Sequence, residues 1–80
     1  MKVLWTAAAA EALYRLPKSR RQAVLDRIDI ISEFPQIYPV RQHQPCAGFR
    51  YFVVETHCVS YTVAEERVII LALFPARKGP

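Results

Sequence analysis

At 80 residues the chain supplies one expected domain, residues 1–80, with a single small core. A hydrophobic fraction of 52% beside 22% charged residues excludes a disordered chain, and no apolar run approaches the length that spans a bilayer. The net charge of +4, with a pI near 9.4, suits an acidic partner or a polyanion.

Lys2–Trp5 reads as a short strand, with Val3 and Trp5 on one side. One early Lys and a Trp make this start a poor signal peptide, so a cytoplasmic protein is expected. Thr6 is placed to cap a helix over Ala7–Leu16, in which Ala9, Leu13 and Leu16 share a face. Pro17 ends it by forcing the preceding residue out of the α region. Ser19 is expected to cap a second helix running to about Phe34, with Val24, Ile28 and Ile31 as its central stripe and Leu25 beside them. Pro35 stops that helix. Residues 35–47 hold three prolines and no period, which predicts a loop. It is long for so small a domain, and such loops often carry function or reorder on binding.

From Gly48 to Arg77 come three runs rich in Val, Ile, Tyr, Phe and Thr. The breaks at Glu55–His57 and Ala64–Glu66 are too short for a helical crossover, so the strands are expected to be antiparallel hairpins. In the middle run Val59, Tyr61 and Val63 alternate with Cys58, Ser60 and Thr62, which points the odd positions at a core. Three-residue turns then put Phe49, Tyr51, Val53, Val59, Tyr61, Ile69, Leu71 and Leu73 on the core face. Arg50, Phe52, Val54, Cys58, Ser60, Thr62, Val68, Ile70, Ala72 and Phe74 fall on the other. A two-residue first turn would swap the faces of the first of these strands. Both helices are expected to cover the odd face, giving an α+β two-layer sandwich of order β-α-α-β-β-β with a mainly antiparallel sheet. The even face, apolar but bearing an arginine and two hydroxyls, is expected to bind something.

No metal motif, P-loop, dinucleotide fingerprint or nucleophile elbow occurs, and two glycines exclude a glycine-rich phosphate cradle. Arg50, His57, Tyr61, Arg77 and Lys78 are the chemical candidates. An arginine on a sheet face could bind phosphate and stabilise charge developing during RNA cleavage. His57 could act as a general base near neutral pH, although a hairpin turn is also where a solvated histidine sits. Tyr61, in mid-strand, reads as a core aromatic with a satisfied hydroxyl. Cys46 and Cys58 set no disulfide framework. With His43 and His57 they offer zinc-ligand types, but His57 and Cys58 are strand neighbours that point apart, so neither metal nor cofactor is expected.

The order of strand, two helices and three-stranded meander, with GFR at 48–50, YTV at 61–63 and VIILALFPAR at 68–77, resembles the RelE/ParE toxin superfamily of bacterial toxin–antitoxin systems. MKVLWT at 1–6 before an Ala-rich helix, and SEFP at 32–35, are similar to ParE-like members. The resemblance covers nearly the whole chain. It implies a growth-inhibiting toxin of a plasmid-stabilising type, neutralised by an acidic cognate antitoxin. Arg50 falls where the family often has a basic residue, and Arg77 matches the arginine after the last strand; these are the candidates for a nuclease. RNA-cleaving members usually carry another arginine on the middle strand, where Cys58 stands here, and often a catalytic residue in a C-terminal extension. The histidine common after the last strand of ParE-like members is Pro75. The resemblance therefore favours the ParE-like branch, which inhibits DNA gyrase by binding. The alternatives are a ribosome-dependent mRNA endonuclease and a non-toxic protein-binding member. The expected partner-binding set is Arg50, Phe52, Val54, Val68, Ile70, Phe74, Arg77 and Lys78, with the antitoxin over the apolar centre and its carboxylates at the arginines. The free protein is expected to self-associate as a homodimer through the same face.

Overall fold

The computed structural model describes residues 1–76. Its elements are β1 (Lys2–Trp5), α1 (Ala7–Arg15), α2 (Lys18–Glu33), β2 (Arg50–Val54), β3 (His57–Ala64) and β4 (Arg67–Pro75). The strands form one sheet in the order β1-β4-β3-β2. β2, β3 and β4 are an antiparallel meander, while β1 runs parallel to β4, with Lys2 opposite Arg67 and Trp5 opposite Ile70. Two neighbouring parallel strands need a long crossover, and the α1–α2 hairpin supplies its helical part. Both helices pack on one face of the sheet, so the α+β sandwich read from the sequence is the observed fold.

Thr6 caps α1 as its sequence position suggested: its hydroxyl oxygen accepts from the Ala9 N–H at 3.2 Å. The same hydroxyl donates to the Leu71 carbonyl at 3.0 Å, and the Thr6 N–H to the Ile70 carbonyl at 3.1 Å. One residue thus ties the β1–α1 corner to the middle of β4. Ser19 does not cap α2. The helix already begins at Lys18, with Pro17 at the cap position and no side-chain hydrogen bond there. The fixed φ of proline, here −56°, suits helix entry, and its carbonyl accepts from Arg21 at 2.9 Å.

The expected face assignment holds for β3 and fails for most of β2 and β4. Both hairpin turns have two residues rather than three: Val54 lies opposite His57, and Ala64 opposite Arg67. Glu55 (φ 53°) in the first turn, and Glu65 (51°) and Glu66 (61°) in the second, take the left-handed conformation that such tight turns require. Shortening a turn by one residue exchanges the faces of the strand beyond it. Phe52, Val54, Val68 and Ile70 therefore lie in the core with Val59 and Tyr61, beneath Ala9, Leu13, Leu16, Val24, Ile28 and Ile31. Tyr51, Val53 and Ile69 move to the other face. A bulge opposite Ser60 and Tyr61, with Leu71 as the extra residue between their partners Ala72 and Ile70, shifts β4 once more and returns Leu73 to the core.

The proline-rich stretch lies beside β2. Val40 makes an isolated bridge to Arg50, and Arg41 and Gly48 close a short arm (Arg41 N–H to Phe49 carbonyl, Gly48 N–H to Arg41 carbonyl, both 2.8 Å). Gly48 sits at φ +88°, a conformation that favours glycine. No helix among the described residues is long and apolar enough to cross a membrane.

Candidate partner-binding site

With the helices on one side, the opposite sheet face is uncovered among the described residues. Cross-strand rows place Tyr51 beside Ser60 and Ala72, Val53 beside Cys58 and Phe74, and Thr62 beside Ile69 on this face. Val53 is 49% exposed at the β2 edge, next to Phe49 at 43%. Cys58 and Ser60, in the middle of the face, are nonetheless buried.

At one end of this face Arg41, Pro45, Tyr51, Cys58, Phe74 and Pro75 enclose a cleft of about 300 Å³. The arm closed by Gly48 brings in Arg41 and Pro45, while β2, β3 and β4 contribute the rest. The Arg41 guanidinium carbon lies 4.2 Å from the centroid of the Tyr51 ring, and its Nε donates to the His43 carbonyl at 2.9 Å. This stacking leaves the guanidinium planar, oriented and with its two Nη groups free of that bond. The Tyr51 hydroxyl and Cys58 Sγ share a hydrogen bond of 2.8 Å. That bond raises the Tyr51 pKa above the usual phenol value, and burial and the electrostatic influence of Cys58 push the same way, against the pull of Arg41. At neutral pH Tyr51 is a neutral hydroxyl that can donate or accept, not a base. The cleft can bind an anion and an apolar group side by side.

Several sequence candidates sit elsewhere. Arg50 faces the helical side, where its Nη1 donates to the Tyr38 carbonyl at 2.5 Å. Arg27 donates to the Tyr38 hydroxyl, and the Tyr38 ring stacks on Phe52 with centroids 5.2 Å apart. Arg50 is thus committed to holding residues 35–40 against the sheet edge. Phe52, Val54, Val68 and Ile70 are core side chains and present no surface to a partner. Of the expected set Phe74 does line the open cleft; Arg77 and Lys78 lie outside the described residues. His57 opens β3 with its Nδ1 3.2 Å from the Thr56 hydroxyl, and lines a second cleft of about 340 Å³ with Ala12, Arg15, Leu16, Leu73 and Pro75. Tyr61 is fully buried and its hydroxyl donates to the Pro35 carbonyl at 2.9 Å, with burial raising its pKa. Sequence reasoning missed Arg41 and Tyr51. The three-residue turn expected from the sequence places Tyr51 on the core face; only the alternative two-residue first turn puts it on the face of Cys58. Arg41 was not reachable, since its placement depends on how the proline-rich arm folds back.

No protein-family model and no curated protein sequence matches the chain. Solved structures do match. The isolated RelE toxin of E. coli superposes with a TM-score of 0.81 at 12% identity, covering 98% of this chain and 86% of that one. A chain of the RelBE2 toxin–antitoxin complex of Mycobacterium tuberculosis gives 0.76 at 23% identity, covering 92% and 95%. A chain of the chromosomal ParDE system of P. aeruginosa gives 0.72 at 15%, covering 96% and 97%. At these identities the likeness is one of architecture, and it extends over nearly the full length of each chain. The fold of this chain is that of the RelE/ParE toxin superfamily.

Proposed function

We propose that this chain belongs to that superfamily as the toxin of a toxin–antitoxin pair, neutralised by a cognate antitoxin, and that it inhibits growth by binding DNA gyrase in the cytoplasm. The observation that carries the toxin reading is the near-complete overlap with RelE and ParE toxin structures, two of them described as parts of toxin–antitoxin complexes or systems. Binding rather than chemistry is supported by the state of the polar groups at the cleft. Tyr51 is hydrogen-bonded to Cys58 and kept neutral, Arg41 is stacked on Tyr51, and Arg50 is tied to Tyr38. These groups suit recognition better than proton transfer.

The second reading, a ribosome-dependent mRNA endonuclease, is favoured by one feature, an oriented guanidinium beside an aromatic ring at an open cleft. Induced expression in a bacterial host tests both. A gyrase poison arrests growth, induces the DNA-damage response and stabilises gyrase–DNA cleavage complexes while transcripts stay intact. Transcripts cut within translating ribosomes would overturn the gyrase reading. Normal growth would overturn toxicity and leave a protein-binding module.

A further inference from the structure

Resting on the toxin–antitoxin reading, we infer that the Arg41–Tyr51 cleft is the receptor for one acidic side chain of the antitoxin, flanked by a bulky apolar residue of the same segment. Charge complementarity carries this. No carboxylate among the described residues pairs with Arg41; the ion pairs among them are Arg15–Glu11 within α1 and Arg20–Glu55 between α2 and the β2–β3 turn, both away from this cleft. With Nε bound to the His43 carbonyl and its plane laid on Tyr51, the guanidinium keeps two Nη donors in the fixed fork that grips a single carboxylate. The rest of the wall is Pro45, Phe74 and Pro75, an apolar lining that receives an aliphatic or aromatic side chain. A nucleic-acid strand would call instead for several cations along a track, and among the described residues Arg41 is the one cation lining this cleft. One oriented guanidinium beside an apolar wall fits a protein segment that pairs a carboxylate with a bulky apolar side chain.

The test is an NMR titration of the labelled full chain with a blocked tripeptide, acetyl-Leu-Glu-Phe-amide, against its Gln-centred counterpart and against uridine 3′-monophosphate. The Glu peptide shifts the Arg41 Nε–H, Tyr51 and Cys58 resonances; the Gln peptide and Arg41→Ala each weaken that response about tenfold or more. Arg41→Lys, a point charge without the fork, recovers only part of it. Lys18→Ala, an equal loss of charge on the helical layer, leaves it intact. A nucleotide that shifts these resonances where the peptide does not overturns the inference, as does a peptide response unchanged in folded Arg41→Ala. Coexpression with the protein of the adjacent reading frame separates this from the reading beneath it. A complex whose Kd is unmoved by Arg41→Ala keeps the antitoxin and removes the cleft from its footprint. Absence of both complex and toxicity defeats the toxin–antitoxin reading, and the peptide titration alone then decides the cleft.

Discussion

Arg50 and Arg41 flank the same corner of the sheet and do different work. Arg50 spends its guanidinium on a backbone carbonyl, so Arg50→Ala is expected to loosen residues 35–40 and lower stability by about 1–2 kcal/mol, seen as a lower urea midpoint. Arg41→Ala, which removes a partly exposed side chain from one ring face, is expected to change the midpoint little. The two tyrosines with raised pKa values set an alkaline limit. Tyr51, through its bond to Cys58, and Tyr61, through burial, hold their protons longer in the folded state than in the unfolded chain. Their contribution is thus fully present below the ordinary phenol value near 10 and is lost as pH climbs through the raised folded values. Urea unfolding is expected to be flat in this respect through neutrality and to weaken above about pH 10. The Tyr51→Phe, Tyr61→Phe double variant should lose that added alkaline dependence.

At the scale of elements, the sequence carried the type and order of every helix and strand, because amphipathic stripes and prolines act locally. Val24, Ile28 and Ile31 do face the core, and Thr6 does cap α1. Turn length was not legible. Glu55, Glu65 and Glu66 are poor residues for left-handed positions, so nothing in Glu-Thr or Glu-Glu announces a two-residue turn. The bulge at Leu71 was equally silent, since it resolves a conflict between strand registers and has no local residue signature. Those two features decided which residues could form a binding surface. The strain at the second turn is testable: a non-glycine residue in left-handed conformation costs about 1–2 kcal/mol, part of it returned as backbone entropy when glycine replaces it. Glu66→Gly should therefore raise stability by roughly 0.5–1 kcal/mol in urea unfolding.

For the whole molecule, two thin layers share one core. Ile28→Ala or Ile70→Ala is expected to cost about 2–5 kcal/mol, most of the stability of a chain this size. Leu71→Ala, at the half-buried bulge, should cost only about 1 kcal/mol. Thermal melts that rank Leu71 above Ile70 would contradict the register. Ile70→Asp places a charge in the core and should leave no folded protein to assay. The parallel pairing of β1 with β4 also governs timing. Thr6 meets its Leu71 partner across 65 residues, and β4 lies between β1 and β3 in the sheet. Contacts of such long sequence separation form slowly, because the intervening chain must be closed before they repay its entropy. A chain stopped at Glu66 would hold β1 and the β2–β3 hairpin but not the strand that joins them, and should show no cooperative melt. During synthesis the open face therefore comes into being last and all at once, so any partner that binds it would meet a finished surface at the moment it appears.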